Sequence, residues 1–176
     1  MLHLKIAFLG LAALGTLGAA YVQSRPGRLR VVREANMAAS PDKILPHISN
    51  FTNWKAWSPW VERDPNMQID ISQPPDVVGA TYVWKGNKEV GEGQMTLLAV
   101  TANSATIGLK FVKPFPGENT VKFTLIPQGD GTLVQWEMEG PQIFISKLVG
   151  LFLDMDKMIG KDFEKGLASL KKVVAG

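Results

Sequence analysis

The 176-residue sequence predicts an α+β fold, in which a seven-stranded antiparallel curved sheet surrounds a long C-terminal helix and an N-terminal transmembrane helix precedes both. Three observations support this prediction. A largely apolar run, with Lys5 and Thr16 as its only clearly polar members, occupies residues 4–22. Six segments that alternate apolar and polar residues then follow one another over residues 67–138, as half-buried strands do. Beyond them, apolar residues recur at steps of three and four, the period of an amphipathic helix.

The apolar run at the N-terminus has Lys5 as its only charged residue. The 17 residues of segment 6–22 reach the lower limit of the about 17 to 25 residues that cross a bilayer. A membrane anchor is therefore our first interpretation. A cleaved signal peptide is an alternative, because Gly18 and Ala20 are small enough for a cleavage site. A buried helix of a soluble domain is the third possibility.

Four arginines follow the apolar run, whereas Lys5 and the amino terminus precede it. This asymmetry favours a retained, single-pass anchor, and the positive-inside rule places the domain in the cytoplasm. A periplasmic or secreted domain is the alternative. The predicted parts of the chain are a hydrophobic anchor (or signal peptide) over residues 1–23, a linker with Pro and Gly over residues 24–27 and a domain over residues 28–176.

Two short helices are predicted after a first strand, LRVVREANMAA. Ser40 is a suitable N-cap and Pro41 a suitable first helical residue, so a helix begins there. Pro46 is expected to limit or kink this helix. Asn50 can cap a second short helix, which carries two tryptophans until Pro59 disturbs it.

The six strands that follow are predicted from the segments MQIDI, ATYVWKG, EVGEGQMTLLAV, SATIGLKFV, TVKFTLI and TLVQWEM. Short connections favour an antiparallel meander, and Gly129–Gly131 is the strongest hairpin signal among them. The last two strands carry apolar residues on one face and polar residues on the other, so one face packs on a core and the other meets water. The apolar face consists of Val121, Phe123, Leu125, Val134, Trp136 and Met138.

The C-terminal segment carries an apolar stripe with lysines and acids on its remaining surface. We predict one helix of about 30 residues, which would span roughly 45 Å and could cross the whole sheet. The stripe consists of Leu148, Phe152, Met155, Ile159, Phe163, Leu167, Leu170 and Val174.

Several motifs give the chain a resemblance to a known family. They are the W..WSPW box over residues 54–60, followed by Asp64-Pro65, the pair Gly91 and Gly93, and the segments GDGTLVQWEMEG and GKDFEKGLASLKKVV. From about residue 28 to residue 175 the chain resembles the START-like (SRPBCC) superfamily, and within it the bacterial polyketide cyclase/dehydrase-like group. This resemblance implies a helix-grip fold, with a ligand in a cavity between the sheet and the long helix.

The tryptophan box and the inward strand and helix positions are therefore the candidate ligand-binding residues. Such a lining is apolar, with soft methionine positions, and suits a hydrophobic or lipid-like ligand. The alternative is that the same side chains fill a solid core. The candidates are Trp54, Trp57, Trp60, Tyr82, Trp84, Met95, Leu97, Ile107, Leu109, Phe111, Phe123, Trp136, Phe152, Met155, Ile159 and Phe163.

Composition excludes several classes of function. The chain has no cysteine and only two histidines, so disulfides, thiolate nucleophiles and Cys- or His-rich metal clusters are excluded. A net charge of +3, from 19 basic and 16 acidic residues, is too balanced for an electrostatic nucleic-acid binder. The sequence also has no phosphate-binding loop. We predict no metal, no cofactor and no nucleic-acid partner.

No pair of residues is a clear general acid and base. His47 is expected on the surface or partly packed. Glu62 and Asp64 could lie at the mouth of a cavity, although solvated acids in loops are commoner. The residues that strand alternation turns towards solvent are Glu92, Gln94, Glu137 and Glu139.

The function that the helix-grip resemblance, the apolar inward face and the predicted anchor together favour is a membrane-tethered domain that binds a hydrophobic small molecule or lipid. A polyketide cyclase- or dehydratase-like enzyme is the alternative, and it would need a buried ionisable group in the cavity. A protein-interaction domain, similar to the chaperone-activator branch of the superfamily, is the third hypothesis.

Overall fold

The computed structural model describes residues 21–24, 27–142, 147 and 154–176 and confirms the α+β helix-grip arrangement. The predicted anchor lies almost wholly outside these residues. Within them, no helix is both long enough and apolar enough to cross a membrane. The elements are β1 (Arg28–Met37), α1 (Pro41–Ser49), a 3-10 helix (Phe51–Ala56), α2 (Pro59–Arg63), β2 (Gln68–Ile71), β3 (Thr81–Lys85), β4 (Glu92–Thr101), β5 (Ser104–Lys113), β6 (Gly117–Gln128), β7 (Gly131–Pro141) and α3 (Met155–Ala175).

The seven strands form one antiparallel sheet in the order β1-β7-β6-β5-β4-β3-β2. Its inner face packs against the helices, and Phe123 lies opposite Trp136 on that face. The outer face carries cross-strand ion pairs, such as Arg30 with Glu137 at 2.5 Å. The alternation predicted for β6 and β7 is therefore confirmed, because the six residues predicted on their apolar face are all buried.

The connections lie at two ends of the sheet. Asn87 N donates to Asp64 Oδ2 at 2.6 Å, and Gly91 lies against the backbone of Lys113. These contacts join residues 64–67, 86–91 and 113–117 into a cluster of loops that we call the loop end. The connections at the other end, which we call the opposite end, are residues 72–80, 102–103 and 129–130.

The tryptophan box completes the end of α1. The last carbonyl groups of a helix have no partner within the helix. Here the indole Nε1 of Trp54 donates to Ile48 O at 2.8 Å, and Nε1 of Trp57 donates to His47 O at 2.9 Å. The box is thus the helical insert that closes the inner face of the sheet.

The structure corrects three predictions about helix limits. Helix α1 continues past Pro46 to Ser49. Pro59 does not disturb a helix but begins α2, because its missing N–H is not needed in the first turn. The prediction of a 30-residue C-terminal helix was wrong, because Asp154 has an extended backbone and accepts a hydrogen bond from Lys157 N at 3.0 Å. This N-cap leaves α3 with 21 residues, or about 32 Å.

Helix α3 approaches the sheet closely at Gly160, against Arg33, and at Gly166, against the Trp136 ring. The Arg33 guanidinium crosses Gly160, where a β-carbon would occupy the space of the side chain. It donates from Nε to Glu164 at 2.8 Å and from a terminal nitrogen to Asp156 at 3.0 Å. These hydrogen bonds, first to Asp156 and then to Glu164, raise the pKa of Arg33. An inward arginine on the edge strand thereby fixes the first half of α3.

Candidate functional site

Aromatic rings fill the centre of the space between the sheet and α3. Trp136 stacks on Phe163, with ring centroids 4.1 Å apart and planes 8° from parallel. Phe123 lies 4.8 Å from Trp136 on one side, and Trp57 lies 5.5 Å away in an edge-on arrangement. Such contacts combine area burial with favourable ring geometry.

The central candidate residues border no open space. A side chain next to a cavity that can hold water keeps some accessible surface, yet Leu97, Ile107 and Phe123 are 0% exposed. In this region the structure matches the solid core that the sequence left as an alternative. The candidates that are buried here are Trp54, Trp57, Tyr82, Trp84, Met95, Leu97, Ile107, Phe123, Trp136 and Phe163.

The remaining candidates within the described residues are half-buried and lie on three elements, and all of them except Met155 pack against the core. Phe111 on β5 packs edge-on against Trp84 at 5.8 Å, and Trp60 on α2 lies 5.9 Å from Trp136. We call this set the apolar rim, and it is the candidate site. Phe152 lies outside the described residues. The apolar rim consists of Trp60, Leu109, Phe111, Met155 and Ile159.

Two of the other half-buried residues that pack against the same core lie next to the apolar rim elements in the loop connections and are not among the predicted site residues. Met67 immediately precedes β2, and Val90 lies in the β3–β4 connection. Both belong to the loop end. Met67 was the first residue of the predicted strand MQIDI and Val90 the second of EVGEGQMTLLAV, and a single apolar residue at the start of a strand carries little information about a site.

Two neutral polar groups of the aromatic interior bear on its chemistry. Trp136 Nε1 is buried and, unlike Nε1 of Trp54 and Trp57, has no hydrogen-bond partner in the described part of the chain. Buried donors are nearly always paired in folded proteins, so an unpaired one needs an explanation. The other group is the Tyr82 hydroxyl, whose pKa burial raises to about 12.

This tyrosine makes stability depend on pH in alkaline solution. In the unfolded chain Tyr82 ionises near its ordinary pKa of 10, whereas in the folded chain its pKa is about 12. Its contribution is therefore complete below pH 10 and is lost as the pH rises towards 12. We expect the wild-type free energy of unfolding to fall by about 2 to 3 kcal/mol more than that of Tyr82→Phe over this range. Urea denaturation at several pH values measures the difference, and equal curves would contradict it.

Charged side chains that are buried in the described residues have partners outside the aromatic interior. Asp64 is not solvated, as loop acids usually are, because it accepts from the backbone N–H groups of Asn66 and Asn87. Asp162 on α3 pairs with Arg63 at the end of α2. Within the described ranges, no three His, Asp or Glu side chains are placed to hold a metal ion.

The outer face of the sheet carries a separate, shallow concavity of about 400 Å³. Gln94 and Glu139 line it, as their predicted outward orientation requires, and Arg28 forms an ion pair with Glu139 there at 2.6 Å. Its open shape encloses little of a ligand, unlike the concave pockets that bury most of a small molecule.

The chain is similar to a known protein family over most of its length. The family model described as polyketide cyclase / dehydrase and lipid transport matches residues 28–175. The chain belongs to this family. The SRPBCC resemblance seen in the sequence motifs is thereby confirmed, together with the general class of domains that bind hydrophobic ligands. None of the curated proteins matches the chain.

Solved structures with the same fold come from several bacteria. Protein MLL2253 from Mesorhizobium loti is 16% identical, with a TM-score of 0.61 over 84% of this chain and 97% of that one. Protein CV1439 from Chromobacterium violaceum is 15% identical, with a TM-score of 0.60 over 86% and 99%. The Aha1 dimer from Colwellia psychrerythraea is 19% identical, with a TM-score of 0.59 over 83% and 96%. At these identities the likeness shows the fold alone.

Proposed function

We propose that this protein is a membrane-tethered module that binds a hydrophobic small molecule or lipid against the apolar rim. The observation that carries the proposal is the change in burial along the inner face. Its centre is packed solid, whereas Trp60, Phe111 and Ile159 keep part of their apolar surface accessible. Covering apolar surface stabilises a complex by about 25 cal/mol per Å².

The polar groups of the interior fit a neutral binding role. The Trp136 Nε1–H has no partner among the described residues, but it lies in the packed centre, away from a ligand at the apolar rim. Tyr82, with a pKa of about 12, remains a neutral hydroxyl at physiological pH. An uncharged, largely apolar ligand is the chemical class that this interior suits.

The tether is proposed from sequence. Residues 4–22 are long and apolar enough for a short membrane span, and the arginines that follow favour a cytoplasmic domain. We propose the division into an anchor over residues 1–23, a linker over residues 24–27 and a binding domain over residues 28–176. A binding site held close to a bilayer would exchange its ligand with that bilayer directly.

Two neighbouring substitutions on α3 test the location of the site. Ile159 belongs to the apolar rim, whereas Met158 is exposed. We expect Ile159→Trp to fill the site and weaken binding of the fluorescent fatty acid cis-parinaric acid at least about tenfold, a change of about 1.4 kcal/mol. Met158→Trp should bind as the wild type does. The measurement is a titration that follows the fluorescence of the probe.

The same two variants also define the result that would contradict the proposed location of the site. Both substitutions place tryptophan in the same helix, so their effects on helix propensity are similar. Equal affinity of the two variants for the probe would show that the apolar rim is not the binding site. Circular dichroism checks that both variants keep the wild-type secondary structure.

A cyclase- or dehydratase-type enzyme is the second candidate, and Tyr82 is the observation that favours it. A buried hydroxyl could donate a hydrogen bond to a substrate carbonyl, although a pKa of about 12 makes it a poor base near neutral pH. If this candidate is correct, Tyr82→Phe should abolish turnover of a polyketide-like substrate and leave substrate binding nearly unchanged.

A further inference from the structure

The N-terminal segment enters the domain at the loop end of the sheet. Arg28, the first residue of β1, lies opposite Pro141, and Gln142 N donates to Gly27 O at 2.8 Å. Two residues before Pro141, Glu139 lies opposite Thr120 in β6. The start of β1 is therefore level with the β5–β6 turn.

That turn carries an unusually exposed aromatic residue. Phe115 is 61% exposed between Pro114 and Pro116, and Val112 at the end of β5 is also exposed. A large apolar side chain at the tip of a hairpin gains nothing from water, and the two prolines restrict the backbone that presents it. A single exposed apolar residue is common on protein surfaces. Phe115, however, lies at the end of the sheet where the N-terminal apolar run joins the domain.

The length of the connection restricts the position of the loop end. Six residue steps separate Val22 from Arg28, and an extended chain advances at most about 3.6 Å per step, or about 20 Å in all. A span formed by residues 4–22 would therefore keep the loop end at the membrane surface. The opposite end, at the far side of the sheet, would point away from the bilayer.

We propose that the loop end docks on the phospholipid bilayer, with Phe115 inserted at the level of the headgroups. The proposal rests on the tether described under Proposed function. Phe side chains on interfacial segments are buried at the boundary between the headgroups and the acyl chains. Lys110 and Lys113 flank the turn, but Glu118 and Glu92 already pair with them at 3.4 and 3.0 Å. The contact is therefore mainly apolar, and we expect salt to change it little.

The natural absence of cysteine allows a direct test. Single variants Phe115→Cys and Val78→Cys would carry an environment-sensitive fluorophore in the full chain, reconstituted into phosphatidylcholine vesicles with a nitroxide-labelled lipid as quencher. Val78 is the matched control, because it is 63% exposed and lies at the opposite end. We expect several-fold stronger quenching at position 115 than at position 78, with little change in high salt.

Three results would overturn docking. They are equal quenching at the two positions, failure of the chain to associate with the vesicles, and shielding of position 115 without vesicles that increases with protein concentration. The third result would assign this surface to a second copy of the chain. Titration of the same labelled variants with cis-parinaric acid separates the two proposals. If position 115 is not quenched but the probe still binds, only the docking proposal is contradicted. If position 115 is quenched but the probe does not bind, only the ligand proposal is contradicted.

Discussion

Replacing Trp136 by alanine is expected to lower the free energy of unfolding by about 3 to 5 kcal/mol, the range for removal of a large core aromatic. The ring is buried and packs between Phe163, Phe123 and Trp57, so its loss leaves a cavity that rigid neighbouring rings cannot fill. Urea denaturation followed by far-ultraviolet circular dichroism measures the change.

The control for this substitution is Trp136→Phe. It keeps an aromatic ring in place and leaves no acceptor unpaired, because Trp136 Nε1 has no partner among the described residues. We expect it to cost less than half as much as the alanine variant. A loss below about 1 kcal/mol for Trp136→Ala, which is typical of substitutions outside a packed core, would contradict the solid aromatic centre.

Replacing Gly91 by alanine should destabilise the domain by about 2 to 4 kcal/mol, through two additive causes. Gly91 has a φ of +71°, which side chains disfavour, and a β-carbon there would overlap the carbonyl oxygen of Lys113. Since that oxygen belongs to the backbone of β5, relief requires the two hairpins of the loop end to separate. Thermal and urea denaturation measure the loss.

Gly129→Ala provides the matched control. Gly129 also has a positive φ, of +56°, but no atom lies within 4 Å of a β-carbon there. Its replacement should cost only the conformational part, about 1 kcal/mol. Equal losses for the two variants would show that the close contact between the hairpins contributes nothing to stability.

The strands of the sheet could be predicted well because the residue pattern that specifies each strand or turn lies within a few consecutive residues. Alternation in β6 and β7 determines which face is buried, and the Gly129–Gly131 segment determines where the chain reverses. The outward orientation of Glu92 and Gln94 followed from the same period of two. The limits of the helices were harder, because they depend on single caps such as Asp154 rather than on a repeated pattern.

The candidate site could be predicted only as a set of apolar positions. A filled core and a ligand cavity use the same residue types, and the difference lies in how the side chains pack. Trp54 and Trp57 illustrate this limit. Their indole nitrogens donate to the end of α1, a role that depends on the path of the chain between residues 48 and 57 and has no signal in composition.

A crystal structure of the protein with cis-parinaric acid bound is the most direct test of the central claim. The expected result is the hydrocarbon chain of the probe against Trp60, Phe111 and Ile159. Density for the probe in the outer concavity beside Gln94 and Glu139, or no bound probe at saturating concentration, would contradict it.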